Sequence, residues 1–230
     1  MQPNFQVAPD GTRMWLLHIG NLVADEGIFL PFGNVCTATH PVSQSKRRDL
    51  VMISALIEHP EDGLFLYETG AGKDYPDVWG PQLADIFARG EHSEDLELDA
   101  AIRKTGHDIK DIKGVIIGHL HLDHAGGLEY FRGTDVPIYV HELELKHSFY
   151  SVATKTDIDS GTWIFTSDQY IVQENYDNLS TQGWLTRDHA AWSMSNQLVH
   201  TLQKATRAKV ILGHDREVLM RYNLAPQYYQ

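Results

Sequence analysis

The run His119-Leu120-His121-Leu122-Asp123-His124, inside VIIGHLHLDHAGG, constrains this chain more than any other feature. Three imidazoles and a carboxylate fall within six residues. Imidazole nitrogen and carboxylate oxygen are the donors that Zn²⁺ and similar divalent ions prefer. The short apolar run at residues 115–118 reads as a buried strand. At a strand end, alternation sends His119 and His121 the same way. Asp123 and His124 then stand in the adjoining turn, free to approach from another direction. Gly126 and Gly127 are expected to allow a tight turn into the next element. One short segment can thus supply ligands to two neighbouring metal ions. The competing reading is a histidine-rich surface loop.

Apolar runs bounded by turn chemistry place this motif in a larger pattern. Strands are expected at residues 14–19 (MWLLHI), 50–59 and 64–68, the last two joined by Pro60-Glu61-Asp62-Gly63 into a hairpin. Residues 81–90 and 96–105 read as helices, with Gly106 as a C-cap. Further strands are expected at 137–140, 163–166 and 209–212, and helices at 142–154 and 187–207. Three strands end in ligand chemistry, at Gly118-His119, Ser167-Asp168 and Gly213-His214. That pattern predicts sheets covered by helices with a site on the rim. A lone Asp after a strand is more often a cap, and a lone His is usually unremarkable. Their order relative to the motif gives Asp168 and His214 their weight.

Composition narrows the function. With 230 residues, one domain spanning 1–230 with a substantial core is expected. There are 31 acidic against 19 basic residues, a formal charge of −12. This balance argues against nucleic acid or an anionic membrane as partner, since both require basic patches. Bound divalent cations would offset part of the charge, and a metal site would account for some of the thirteen histidines. Cys36 is the single cysteine, so no intrachain disulfide forms, and it reads as a small buried residue. No secretory signal or membrane-spanning window is seen, so the expected location is cytoplasmic.

The HLHLDH motif, with Asp168 and His214 after later strands, resembles the metallo-β-lactamase superfamily. WLLHIGNLVADE, ALIEHPEDGLFLYETG, GHDIKDIKGVIIGHLHLDHAGG and DQYIVQENY are similar to segments of N-acyl homoserine lactonases and fungal lactam- or lactone-opening relatives. The resemblance implies an α+β fold, an αββα sandwich of two mixed sheets flanked by helices. It implies two divalent metal ions, zinc by family habit. His119 and His121 would bind the first, Asp123, His124 and His214 the second, and Asp168 would bridge them. It further implies attack of a metal-bound hydroxide on a substrate carbonyl, with Asp123 carrying a proton to the leaving group. Tyr170 would either donate to that carbonyl or pack as a core aromatic. Glu68 stands where the family commonly has Asp in an Asp-Thr-Gly turn, which changes its reach.

The chain departs from the pattern in one place. The family draws a third ligand for the first metal from a Gly-His-x-Pro-Gly-like turn between the motif and the bridging Asp. Here that interval holds only His141 and His147, neither followed by Pro-Gly. The junction near residues 155–161 is abrupt, as if a segment were missing. A true deletion, omitted residues and a substitute ligand are the three explanations.

The leading expectation is a metallo-hydrolase that opens a lactone or lactam ring, its partner a small cyclic ester or amide. A glyoxalase II-like thioester hydrolase would use the same metals. A catalytically impaired metal-binding scaffold is the reading the missing histidine favours. Relatives often form dimers, so a homodimer is among the expected assemblies. Trp15, Phe29 and Phe32 read as core first and as pocket lining second.

Overall fold

Strands that are apolar on both faces belong in the interior of a layered fold. The first strand meets that condition: Met14 and Leu16 point one way, Trp15, Leu17 and Ile19 the other, and all five are buried. In the computed structural model, residues 8–43, 45–142, 144, 154–158, 161–183, 186 and 188–229 are described.

The elements run β1 (Arg13–Asp25), α1 (Glu26–Phe29), β2 (Arg47–His59), β3 (Gly63–Tyr67), α2 (Gly80–Ile86), β4 (Ala88–Arg89), α3 (Leu98–Arg103) and β5 (Ile112–Ile117). They continue with α4 (Leu122–Ala125), β6 (Ile138–Val140), β7 (Thr154–Ile158), β8 (Gly161–Phe165), α5 (Gln173–Asp177), α6 (His189–Thr206), β9 (Lys209–Ile211) and α7 (Arg216–Leu219). Among the described residues, one sheet has the order β4-β1-β2-β3-β5-β6 and the other β7-β8-β9. Both are mixed: β2–β3 and β7–β8 are antiparallel, whereas β3–β5, β5–β6 and β8–β9 are parallel.

Three apolar clusters correspond to the three interfaces of a four-layer sandwich. Leu98, Ala101 and Ile102 of α3 pack on Trp15, Leu17 and Leu66 of the larger sheet. Met14, Leu16, Ala55 and Tyr67 meet Trp163, Phe165 and Ile211 between the sheets. Val199 of α6 packs with Ile164, Tyr170 and Leu212 outside the smaller sheet. The αββα expectation is met.

Local departures have local causes. The helix expected at 81–90 ends at Ile86, because the chain turns at Phe87 into β4, which pairs with β1. Thr154 lies in β7 rather than in a helix, and most of the helix expected at 142–154 lies outside the described residues. At the abrupt junction, β7 and β8 form an antiparallel pair with Ile158 opposite Gly161. Cys36 is exposed rather than buried, because it stands on the loop between α1 and β2. Trp15 and Phe29 are core, whereas Phe32, on that same loop, is 87% exposed. Among the described residues, no helix is long and apolar enough to cross a membrane.

Candidate metal centre

Two sheets end at one rim, and each contributes ligands there. β5 of the larger sheet leads into His119 and His121, and α4 carries Asp123 and His124. β8 of the smaller sheet leads into a 3₁₀ turn holding Asp168, and β9 into Gly213-His214. Asp215 then caps α7 by accepting from Val218 N at 2.8 Å. The three residues next to these strands in the sequence therefore end in one place, although they come from distant parts of the chain.

Asp168 divides its two oxygens between two groups. Oδ2 lies 3.2 Å from His119 Nε2 and 3.5 Å from His121 Nδ1. Oδ1 lies 3.1 Å from His124 Nε2 and 3.0 Å from His214 Nε2. Asp123 Oδ2 joins the second group, 3.2 Å from His214 Nε2 and 3.5 Å from His124 Nε2. The six residues expected to hold metal are thus brought together around the two oxygens of Asp168.

The geometry fits a cation. His124 Nε2 and His214 Nε2 face each other at 3.0 Å. Four donor atoms (these two, Asp123 Oδ2 and Asp168 Oδ1) are separated by 3.0–3.5 Å along five measured edges. A tetrahedron with metal–ligand bonds near 2.0–2.1 Å has edges of about 3.3–3.4 Å. In the first set, His119 Nε2 is buried without a hydrogen bond, an orphaned donor atom aimed at Asp168. Three clusters of possible ligands occur among the described residues, and two of them are these sets.

Each buried imidazole is held from behind, which fixes its tautomer and ring plane. His119 Nδ1 lies 2.9 Å from Ser167 Oγ, and His214 Nδ1 lies 2.9 Å from Val51 O. His124 Nδ1 lies 3.2 Å from Glu68 Oε2. Glu68 is almost fully buried, and its Oε1 accepts from Gly118 N at 3.0 Å and approaches Ser167 Oγ at 3.5 Å. Its extra methylene therefore serves a reach across both sets. Gly118 is required for this approach, since a Cβ there would lie 2.5 Å from Glu68 Oε1. Gly126 has an ordinary helical φ of −59°, so conformational freedom is not its role. Gly126 and Gly127 instead let the turn at residues 69–72 dock, where a Cβ would lie 2.2 Å from Ala71 O and Thr69 O respectively. Thr69 completes that contact by donating from N and Oγ1 to His124 O, at 2.8 and 2.7 Å.

Charge and burial act against each other here. Burial opposes protonation of His124, but Asp123, Glu68 and Asp168 together hold it well above the ordinary histidine range. Burial and neighbouring His124 push His119 down. Burial would raise Asp168, yet His119, His124 and His214 hold it well below the usual carboxylate range. Asp123 is likewise held low by His124 and His214 against the effect of burial. Two carboxylates in front and Glu68 behind form a cluster of acidic groups of the kind divalent cations neutralise. His121, Asp123 and Asp168 are only partly buried, so this side opens to solvent. A cleft of about 220 Å³, lined by Arg48, Val172 and Arg216 among others, adjoins His214.

Tyr170 is not placed in this cluster. Its ring is fully buried against Tyr176 and Trp192, and its hydroxyl donates to Asn196 Oδ1. Burial raises its ionisation further above the ordinary phenol value. His141 is exposed just past β6, and His147 lies outside the described residues. Ser167, the Val51 carbonyl and the reach of Glu68 are contributions that sequence reasoning did not identify. Ser167 beside Asp168 was the available signal.

Comparison with known proteins gives a consistent result. Residues 54–169, just over half of the chain, match the family model described as the metallo-beta-lactamase superfamily. An N-acyl homoserine lactonase, AiiB, of Agrobacterium fabrum is 29% identical over 126 residues, covering 53% of this chain and 44% of the relative. The corresponding protein of Rhizobium rhizogenes is 26% identical over the same shares. The match therefore spans less than half the length of these curated relatives. A B. thuringiensis AiiA variant with N-decanoyl-L-homoserine bound has a TM-score of 0.73 at 18% identity, over 97% of this chain and 100% of that one. An N-acyl homoserine lactone hydrolase with N-hexanoyl-L-homoserine at its metal centre gives 0.72 at 20%, over the same shares. At such identities the structural likeness establishes the fold.

Proposed function

Because the chain belongs to the metallo-beta-lactamase superfamily, we propose that it is a metal-dependent hydrolase that opens a lactone or lactam ring. One observation carries the reading: the two oxygens of Asp168 face two separate groups of ligand atoms. We assign His119 and His121 to a first divalent ion and Asp123, His124 and His214 to a second, with Asp168 shared and zinc the preferred metal. Ions held there would supply Lewis acidity and an ionised water at neutral pH.

The protein's own groups set the rest. Glu68, Ser167 and the Val51 carbonyl hold the imidazoles so that their other nitrogens face the centre. We assign Asp123, partly open to solvent, the role of taking a proton and returning it to the leaving oxygen or nitrogen. Tyr170 is buried with its hydroxyl donating to Asn196, so we assign it to packing ahead of a role at the substrate carbonyl. The substrate class, a small cyclic ester or amide, is supported by the lactonase relatives. A cytoplasmic location and a homodimer remain part of the proposal, on the single cysteine and family habit respectively. We also read the chain as one domain that lacks a segment near 155–161. Sequencing the intact transcript between the codons for residues 141 and 168 tests this, and an uninterrupted match to the present sequence would refute omitted residues.

The functional test is direct. Protein loaded with zinc is assayed by pH-stat against acyl homoserine lactones, simple lactones, lactams and thioesters. Turnover of cyclic substrates that a chelator abolishes is expected. Turnover confined to thioesters would favour the glyoxalase II-like reading. One bound ion per chain with no turnover would favour the scaffold, for which the two-histidine first set is the motivating observation, and two ions per chain would argue against it.

A further inference from the structure

We infer that Glu144 is a positioning residue for the first ligand set, acting through the backbone of Leu120. The inference rests on the metal reading above and extends it to a residue outside the three groups of potential ligands found among the described residues. Glu144 is 0% exposed, which is rare for a carboxylate and costly unless its oxygens are engaged. It is helical and stands just past β6, where its own N donates to His141 O at 2.9 Å. Its Oε1 accepts from Leu120 N at 2.8 Å.

Leu120 is the residue between His119 and His121. β5 has ended at Ile117, so the strand ladder no longer fixes this stretch. The rings of His119 and His121 are 4.4 Å apart, and the peptide units around Leu120 set that spacing. A buried acceptor on the Leu120 amide restrains the backbone where the ladder does not. The second set does not depend on this tie. His124 sits in α4 and is held by Glu68 and Thr69, whereas His214 is held by Val51. Loss of Glu144 should therefore weaken one metal site and spare the other.

The experiment is a calorimetric titration of the metal-free full chain with Zn²⁺. His121→Ala identifies the binding event of the first set. Glu144→Met keeps the buried volume but removes the acceptor, and Glu144→Gln restores an acceptor oxygen. The expected result is that Glu144→Met weakens the His121-dependent event by about 10–100-fold, as for other groups that support metal ligands. The other event should change less than about 2-fold, Glu144→Gln should recover most of the loss, and Glu144→Met should add little to His121→Ala. Equal weakening of both events, or none of either, overturns the assignment. Wild-type protein that binds no zinc would overturn the metal reading itself. Should Glu144→Met not fold, amide exchange in the wild-type protein decides. Protection of the Leu120 amide is expected, and exchange at the rate of an unstructured amide overturns the tie.

Discussion

Glu68 Oε2 stands 3.2 Å from His124 Nδ1, on the side of the ring away from the other ligand atoms. The same carboxylate reaches Gly118 N and, through Ser167, the back of His119. One buried side chain thus supports a histidine of each set. Glu68→Ala is expected to lower zinc affinity at both by about 10–100-fold. Glu68→Asp, shorter by one methylene, should keep only part of this span and fall between. Equilibrium dialysis against a chelator buffer measures the effect, and wild-type affinity in Glu68→Ala would remove Glu68 from the support of the site.

Asp168 and His214 should separate the two sets. Asp168 touches both, whereas His214 contacts only the second. Asp168→Asn is therefore expected to deplete both ions, and His214→Ala to leave close to one ion per chain. Metal content by elemental analysis after dialysis distinguishes them. Equal stoichiometry in the two variants would contradict a shared carboxylate.

Tyr170→Phe tests the packed placement of that ring. Removing the donor to Asn196 should cost stability of about 0.5–1.5 kcal/mol, read from denaturant midpoints. Hydrolysis rates should stay within about 2-fold of wild type. A large fall in kcat with unchanged stability would instead place the phenol at the substrate.

Asp99 offers a pH test away from the metal centre. It accepts hydrogen bonds from Arg103 Nη1 and Tyr130 Oη and pairs with Lys73. Burial alone would raise its ionisation, but Arg103, Tyr130 and Lys73 outweigh burial and hold the carboxyl below its ordinary value. A carboxylate with a folded pKa below its unfolded one stabilises the fold above the unfolded value. That stability is lost as pH falls through the folded one. Asp99→Asn should therefore lower stability at neutral pH, by about 1 kcal/mol or less. The difference should shrink as pH falls below the ordinary carboxylate range. A difference independent of pH would show that packing, not charge, carries the effect.

Range along the chain decided which features the sequence displayed and which it concealed. HLHLDH was readable because four ligand-type residues share one strand end, and strand alternation gives the directions of the first two. Asp168 and His214 were readable only through their order after the motif. Ser167 and the Val51 carbonyl depend on contacts 48 and 163 residues apart, which no local pattern encodes. Glu144 was hidden differently: alternating acids in HELEL give no sign of which one is buried. β7 was missed because TKTDI is polar in its first four residues, as an edge strand paired on one side can be. Leu198 is apolar yet 56% exposed, because Val199 takes the buried side of α6 instead.

The two ligand sets draw on both sheets, and His124 and His214 lie 90 residues apart in the chain. In polymer terms, an ion gripped by both would be a removable cross-link closing a very long loop. A covalent bridge across such a loop is worth about 4–5 kcal/mol in the chain-entropy account. Free zinc would then act as a folding ligand, with stability rising with the logarithm of its concentration above the dissociation constant. Cellular abundance of the protein would track metal supply, independently of whether any substrate is present.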